Sequence, residues 1–445
     1  MEMFRIAGDT RLAGSIRVEG SKNAALPILA ASVAITGNVQ LEQVPKLQDV
    51  TTMSTLLQGM GVSIARGHDN TVVMNSNEIT STIAPYELVR QMRAGICVLG
   101  PLLARFGTAT VALPGGCKIG HRPVDLHLQG LSALGADIRI ESGNIVASAR
   151  QLRGCELDLL GSHGPTVTGT CNVMVAAALA QGTTVIRNAA REPEVADLAR
   201  FLNSAGANIE GQGTSVIEIQ GVEQLGPVHH TIIADRIEAA TLAIAAAITG
   251  GSILIENAPT EHMQSVLDIL REIGVLLKQS SDGLHVSAAG QLAPIVADIN
   301  PYPGFPTDVQ AQLMALLTLV PGESRVTDNV FPERFMHAAE LIRMGADIDV
   351  RGKSAVIRGV PSLSAAPVMA SDLRASAALV LAGIAAKGVT EIRRVYHLYR
   401  GYQQFDSKLN SLGARILRVN DGPDQDSVPI PAPHWDIRNV RESCD

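Results

Sequence analysis

The chain has 445 residues, of which 46% are hydrophobic and 18% charged, with a formal net charge of −7. That length and composition fit a globular protein too large for one ordinary core, so two domains are expected. The acid excess gives no electrostatic reason for a nucleic-acid partner, and no apolar run reaches the roughly 20 residues that span a bilayer.

Residues 1–20 read as strands that precede the first full unit, and they are expected to pair with the last one. The Met-Glu-Met-Phe-Arg start lacks an apolar leader, so a cytoplasmic location is expected. From Ala24 onward one pattern recurs. An Ala-rich helix ends at a glycine, a β-branched strand follows, and an amphipathic helix closes on a second glycine before another strand. The Ala-rich helices are read at Ala24–Ile35, Ala94–Ala104, Val173–Ala180, Ala239–Ile248, Ala311–Val320 and Ala375–Ala386. A helix apolar on nearly every face must be buried.

The first glycines are Gly37, Gly107, Gly182, Gly251, Gly322 and Gly388; the second are Gly61, Gly135, Gly206, Gly274, Gly345 and Gly413. The repeat is about 70 residues long, longer than a solenoid unit but as periodic. Six units in two domains predict three units per domain in a layered α/β arrangement. Glu223–Thr231 reads as the linker, because Gly226, Pro227, His229 and His230 interrupt the pattern. The expected division places 22–231 in one domain and 1–21 with 232–421 in the other. The Asp- and Pro-rich stretch 422–445 reads as an extended or disordered tail.

One junction stands out. The interval from first to second glycine is 24, 28, 24, 23, 23 and 25 residues, and the long second unit contains Leu-Pro-Gly-Gly-Cys-Lys-Ile-Gly-His-Arg-Pro at 113–123. Extra length at one junction of a regular repeat points to function. Glycines let backbone N–H groups approach an anion, and Lys118, His121 and Arg122 favour the reactive thiolate of Cys117. The other cysteines, at 97, 155, 171 and 444, form no CxxC or zinc-like spacing, so no metal site is expected.

The N-terminal ends of the Ala-rich helices carry Ser21-Lys22-Asn23, Arg93, Thr168, Asp235 with Glu238, Thr307-Asp308, and Asp372 with Arg374. Ser, Thr, Asp and Asn there are ordinary caps. A cation at that place repels the positive end of the helix dipole, so Lys22, Arg93 and Arg374 predict an anion between side chain and helix. Junction arginines Arg122, Arg191, Arg334 and Arg400 are expected to join them on one face of each domain. No phosphate-binding P-loop, dinucleotide fingerprint or Ser-His-Asp set can be assembled.

These residues resemble a known family, the UDP-N-acetylglucosamine 1-carboxyvinyltransferases, from about residue 3 to 419. The resemblance is carried by GSKNAALP at 20–27, LPGGC at 113–117, RPVDLH at 122–127 and NAAREPE at 188–194. FPTD at 305–308, RFMH at 334–337, DLRAS at 372–376 and RGY at 400–402 complete it. It implies two inside-out α/β domains, each of three pseudo-symmetric units around buried helices. It also implies transfer of the enolpyruvyl group of phosphoenolpyruvate to the 3-hydroxyl of UDP-N-acetylglucosamine, with phosphate released through a tetrahedral ketal and with no metal or organic cofactor. The matched positions make Cys117 the proton donor and adduct-forming thiol, alkylated by fosfomycin, and Asp308 the general base. Lys22, Arg122 and Arg400 form the phosphate and carboxylate clamp with Asn23 beside them. Arg93, Arg122, Pro123, Val124, Asp125, Leu126, Ser162, His163, Gly164 and Val330 surround the nucleotide-sugar, while Asp372 and Arg374 lie near the reacting centre.

Three features depart from the family's pattern: Tyr399 before Arg400 in place of an acid, the Ser162-His163-Gly164-Pro165 variant, and the longer tail. The alternatives are a 3-phosphoshikimate 1-carboxyvinyltransferase, which lacks the Gly-Gly-Cys loop, and a catalytically silent nucleotide-sugar-binding paralogue, which would lose Cys117, Lys22 or Asp308.

Overall fold

Each of the six units folds into a four-stranded sheet with the same order. An edge strand runs parallel to its neighbour, and two antiparallel strands follow. In the second unit, Ile83–Ala84 is parallel to Thr108–Ala112, which pairs antiparallel with Asn144–Ser148, itself paired with Asp137–Glu141. This computed structural model describes residues 2–114, 124–288 and 290–420. Cys117, Arg122 and Pro123, and the 422–445 tail, lie outside the described residues.

The repeat glycines turn the chain where a side chain would be strained. Gly61 and Gly413 sit at φ +104° and +100°, and in the fourth unit the left-handed position is Gly250 rather than the expected Gly251. Gly251 is required for a different reason: a Cβ there would lie 2.3 Å from the Leu12 carbonyl oxygen.

Six buried helices carry the units: α1 (Lys22–Ala31), α2 (Leu99–Phe106), α3 (Val167–Ala178), α4 (Arg236–Ile248), α5 (Gln310–Leu317) and α6 (Leu373–Ala385). Every residue of α4 and α5 is buried, as helices apolar all round require. The buried side chains form two hydrophobic clusters. One runs from Ala24 to Ile232; the other joins Phe4–Val18 to Ile237–Ile416. Both are aliphatic, as the 3% aromatic content dictates.

The N-terminal strands divide between two units. Glu2–Ala7 lies between Val389–Arg393 and Arg415–Asn420 of the last unit, filling the place that a hairpin strand fills elsewhere. Ala13–Arg17 instead pairs parallel with Ser252–Glu256 of the fourth unit. The segment read as a linker is also more ordered than expected. Val228–Thr231 pairs parallel with Asn38–Glu42 as the edge strand of the first unit. Val228 is buried there, while His229 and Thr231 both reach Glu42. Its alternation was masked in the sequence by the preceding Gly-Pro.

Helix starts follow capping chemistry. Ser21, Asp235 and Asp372 accept from the first-turn N–H groups of α1, α4 and α6. The cap of α3 is Thr166 rather than Thr168, whose hydroxyl meets His127 Nε2 at 3.1 Å. Helices α2 and α5 have no side-chain cap; tight 3₁₀ turns at Arg93–Val98 and Thr307–Val309 lead into them.

Candidate active site

Two charge clusters meet between the halves. On the first half, Lys22 opens α1, and its ammonium lies 3.4 Å from Asp49 Oδ2. Asp49 is 4% exposed and sits in the first turn of the Gln48–Gly59 helix, in phase with buried Met53, Leu56 and Leu57. Its other partner is Arg400 of the second half, which donates from Nε at 2.8 Å and from Nη2 at 3.4 Å. One buried carboxylate therefore holds Lys22 and Arg400 together across the interface. Burial lowers the Lys22 pKa, Asp49 opposes that shift, and Arg374 and Arg400 add to it.

On the second half, Asp308 is gripped at both oxygens. Arg334 Nη1 donates to Oδ1 at 2.9 Å, and Arg374 Nη2 donates to Oδ2 at 3.0 Å. Burial pushes the Asp308 pKa up, but Arg374, Arg334 and Lys22 outweigh it and hold the carboxyl well below the usual carboxylate range. Asn23 of the first half reaches the same Oδ2 at 3.4 Å.

Arg334 is fixed in turn. The same Nη1 donates to Thr307 Oγ1 at 3.2 Å, and that hydroxyl donates to Asp328 Oδ2 at 2.7 Å. Asp328 also accepts from the backbone N–H groups of Val330 and Phe331 at 2.9 and 2.8 Å, which sets the Val330 turn.

Arg374 carries unspent donors. It is 2% exposed and its guanidinium lies against Tyr402, 5.3 Å from the ring centre and close enough for the two side chains to shift each other's titration, yet its Nε and Nη1 make no hydrogen bond of normal geometry among the described residues. Buried polar groups in folded proteins are nearly always satisfied, so these N–H groups mark a place for an acceptor. Tyr402 itself is tied to α4 and α5 through Thr241 at 2.9 Å and Gln312 at 3.0 Å. Asp372 serves as the α6 cap, accepting from Arg374 N at 2.8 Å.

A second group of expected residues gathers on the first half. Val124 precedes the Asp125–Ala133 helix, and Leu126 Cδ1 lies so close to Gly161 that a Cβ there would meet it at 3.0 Å. Ser162 and His163 form the tip of the hairpin between Leu160–Gly161 and Gly164–Pro165, with Ser162 Oγ 2.9 Å from His163 Nδ1. Gly164 sits at φ +103°, and a Cβ there would be 2.7 Å from Pro301 Cγ, so this hairpin tip touches the second half. Helix Asp125–Ala133 is anchored by His127. Asn172 Nδ2 donates to its Nδ1 at 3.1 Å, which leaves Nε2 as the donor to Thr168. Arg93 starts the turn that Asn172 fastens through Ile96 O and Gly100 N.

Some expectations need correction. Of the helix-start cations expected to face an anion, Lys22 and Arg374 pair with the chain's own Asp49 and Asp308, and the junction residue Arg400 shares Asp49. Of the junction arginines, Arg334 and Arg400 reach the clusters, whereas Arg191 is exposed and donates to the Gly213 carbonyl. Tyr399 does not turn Arg400 aside. Its hydroxyl donates to Glu2 at 2.8 Å and its ring lies under Arg418. Among the described residues no group of His, Cys, Asp and Glu is arranged to hold a metal ion, and no helix is long and apolar enough to cross a membrane.

A sequence profile of the EPSP synthase (3-phosphoshikimate 1-carboxyvinyltransferase) family matches residues 6–409. The UDP-N-acetylglucosamine 1-carboxyvinyltransferase of Methylacidiphilum infernorum is 51% identical over 419 residues, covering 94% of this chain and 99% of the relative. The chain belongs to this family of carboxyvinyltransferases. The enzyme of the same name from Myxococcus xanthus is 50% identical over 422 residues, covering 94% and 99% of the two chains. Among solved structures, the enolpyruvyl transferase NikO from Streptomyces tendae superposes with a TM-score of 0.86 at 24% identity, covering 95% of this chain and 99% of that one. EPSP synthase from Acinetobacter baumannii superposes with a TM-score of 0.73 at 18% identity, covering 94% and 100%. This carboxyvinyltransferase thus has the two-domain α/β fold of the enolpyruvyl transferases, with its charge clusters facing each other at the junction of the halves.

Proposed function

We propose that this enzyme transfers the enolpyruvyl group of phosphoenolpyruvate to the 3-hydroxyl of UDP-N-acetylglucosamine and releases phosphate, the first committed step of peptidoglycan synthesis. The reading is carried by Arg374, a buried guanidinium with two N–H groups that have no hydrogen-bond partner among the described residues, 3.0 Å from a carboxylate that can take a proton. The relatives' names supply the substrates. Lys22, Arg374 and Arg400 then hold the phosphate and carboxylate of phosphoenolpyruvate. The 122–126 segment, Arg93, Ser162–Gly164 and Val330 hold the nucleotide-sugar.

The reaction balances as addition followed by elimination. The 3-hydroxyl gives its proton to Asp308 while its oxygen bonds to C2 of phosphoenolpyruvate, and the methylene C3 takes a proton from Cys117. The resulting ketal returns a C3 proton to the Cys117 thiolate and expels phosphate from C2, which takes the proton held by Asp308, so the double bond and both side chains are restored. Asp308 is a poor base while Arg334 and Arg374 grip it. An arriving anion that recruits Arg374 loosens that grip and raises the carboxylate's basicity at the moment it is needed. We further propose that 22–231 forms one domain and 1–21 with 232–421 the other, that the enzyme works in the cytoplasm, and that it needs no cofactor.

Phosphate release tests the reading. It is expected to require both substrates, to stop on fosfomycin treatment, and to fall at least 10³-fold in Asp308→Ala. Release with shikimate 3-phosphate in place of the nucleotide-sugar would reassign the acceptor. Release with neither would refute the proposal.

A further inference from the structure

A cavity of about 420 Å³ lies between the two halves beside the Asp49–Arg400 pair, although neither of those residues lines it. Gln48 and Thr51, which flank Asp49 in sequence, form part of its wall, and so does Tyr399, which precedes Arg400. Lys46 and Arg66 enter it from the first half and Arg418 from the second. No Asp or Glu lines it.

The cations are poorly compensated for a protein with more acids than bases. Among the described residues the Lys46 ammonium reaches the His68 carbonyl alone, at 3.4 Å. The Arg66 guanidinium donates from Nη1 to Val44 O and from Nη2 to Pro45 O, both at 3.3 Å. No described carboxylate lies within ion-pair distance of either side chain, and partial burial lowers the Arg66 pKa with nothing to offset it. Arg418 pairs with Asp406 at 2.9 Å and lies 5.0 Å from the Tyr399 ring centre. Arg418 is thus compensated by Asp406, with Glu2 adding to it, whereas Lys46 and Arg66 have no carboxylate partner among the described residues. A guanidinium already anchored on backbone carbonyls loses little freedom when it takes a further acceptor.

We infer that this cavity is a second anion site, distinct from the reacting clusters, which takes a small polyanion such as a phosphate ester or a polycarboxylate. The bound anion engages Lys46 and Arg66 on one half and Arg418 on the other. It thereby adds a bridge between the halves next to the existing one from Lys46 N to Gln403 Oε1 at 2.7 Å. Because the same backbone segments carry Asp49 and Arg400, occupancy of the cavity restrains the clamp that those two residues form.

The test is calorimetric titration of the full-length chain at low ionic strength with inorganic pyrophosphate and, separately, with citrate. The clamp cations can also take an anion, so two classes of site are expected. Lys46→Met is expected to weaken one class at least tenfold and leave turnover without added anion unchanged. Lys22→Met is expected to remove the other class. Arg418→Met repeats the first result from the opposite wall. Saturation by pyrophosphate or by citrate at lower concentration identifies phosphate or carboxylate chemistry, and either supports the site. A single class of site lost in Lys22→Met and untouched in Lys46→Met would overturn the inference, as would no binding of either anion. Binding is read without turnover, so its failure is separable from failure of the proposed reaction.

Discussion

Asp49→Asn removes one charge and almost no volume from the point where the two halves share their clamp. Two ion pairs are at stake. The contact to Lys22 is deeply buried, with the lysine side chain 11% and the aspartate side chain 5% exposed. The contact to Arg400 is more open, since that side chain is 38% exposed. An exposed pair contributes about 0–1 kcal/mol, whereas stranding a buried charge costs about 3–5 kcal/mol. Asparagine keeps the shape and one acceptor, which places the expected stability loss near the lower end, about 3 kcal/mol. The catalytic loss arises separately. Two cations that lose their common anchor no longer hold an anion in one geometry, and misplacement of that kind costs on the order of 10²-fold in kcat/KM. The pH profile carries the sign. Burial lowers the Lys22 pKa and Asp49 is the largest opposing influence. Without that carboxylate the lysine gives up its proton at lower pH, so the alkaline fall of kcat/KM moves to lower pH. Phosphate release across pH, together with urea unfolding, measures both effects. An unmoved alkaline limb with kcat/KM within threefold of wild type would refute the reasoning.

Three further outcomes follow from buried groups. The His337 ring packs on Met314 with its pKa pushed down to about 4 by burial, below its usual 6.5. A folded-state pKa below the unfolded one gives stability that is present above pH 6.5 and lost as pH falls through 4; by linkage the loss is roughly 3 kcal/mol. His337→Leu is expected to remove this pH dependence, so the urea midpoint of wild type should fall relative to that of the variant between pH 7 and pH 5, and a midpoint difference unchanged over that range would refute the assignment. Gly164→Ala places a Cβ 2.7 Å from Pro301 Cγ at φ +103°. The combined strain, about 1–2 kcal/mol, should raise KM for the nucleotide-sugar roughly tenfold with kcat within twofold, and equal loss of both parameters would assign the hairpin another role. Burial raises the Cys97 thiol to about 12 and also lifts Cys171. Iodoacetamide at pH 8 should therefore leave both untouched in the folded protein and modify both in urea, as peptide mass spectrometry would show.

The repeat was legible because its period is carried by local chemistry. A glycine at φ near +100° and an all-apolar helix announce themselves within a dozen residues. Lys22 and Arg374 were legible for a related reason, since a cation at a helix start is locally unfavourable and demands a partner. What that logic could not give is which acid arrives. Asp49 and Asp308 are brought to Lys22 and Arg374 by tertiary packing across 27 and 66 residues of chain. Asp49 did leave one trace, a charged residue in register with the buried stripe Met53, Leu56 and Leu57. Asp328 left none, because an acid ending a strand before Asn329 looks like any turn. The strand at Ala13–Arg17 was placed on the wrong unit for the same reason: pairing with Ser252–Glu256 is set by the closure of the core, not by either sequence alone.

The charge arrangement also explains why the site tolerates so many buried cations before any substrate is bound. Lys22, Arg374 and Arg400 repel one another, and each lowers the tendency of the lysine to stay charged. Asp49 and Asp308 relieve that repulsion in the resting enzyme, one in each half. They do not relieve it fully: among the described residues Arg374 Nε and Nη1 have no hydrogen-bond partner, a cost of about 1–3 kcal/mol. In the proposed reaction an anionic substrate supplies acceptors to these groups and recovers that cost as binding free energy. It also competes with Asp308 for the same guanidinium. Under the proposed reaction, a single contact at Arg374 both binds the anion and releases the Asp308 carboxylate, so the base gains strength only when there is a substrate for it to act on.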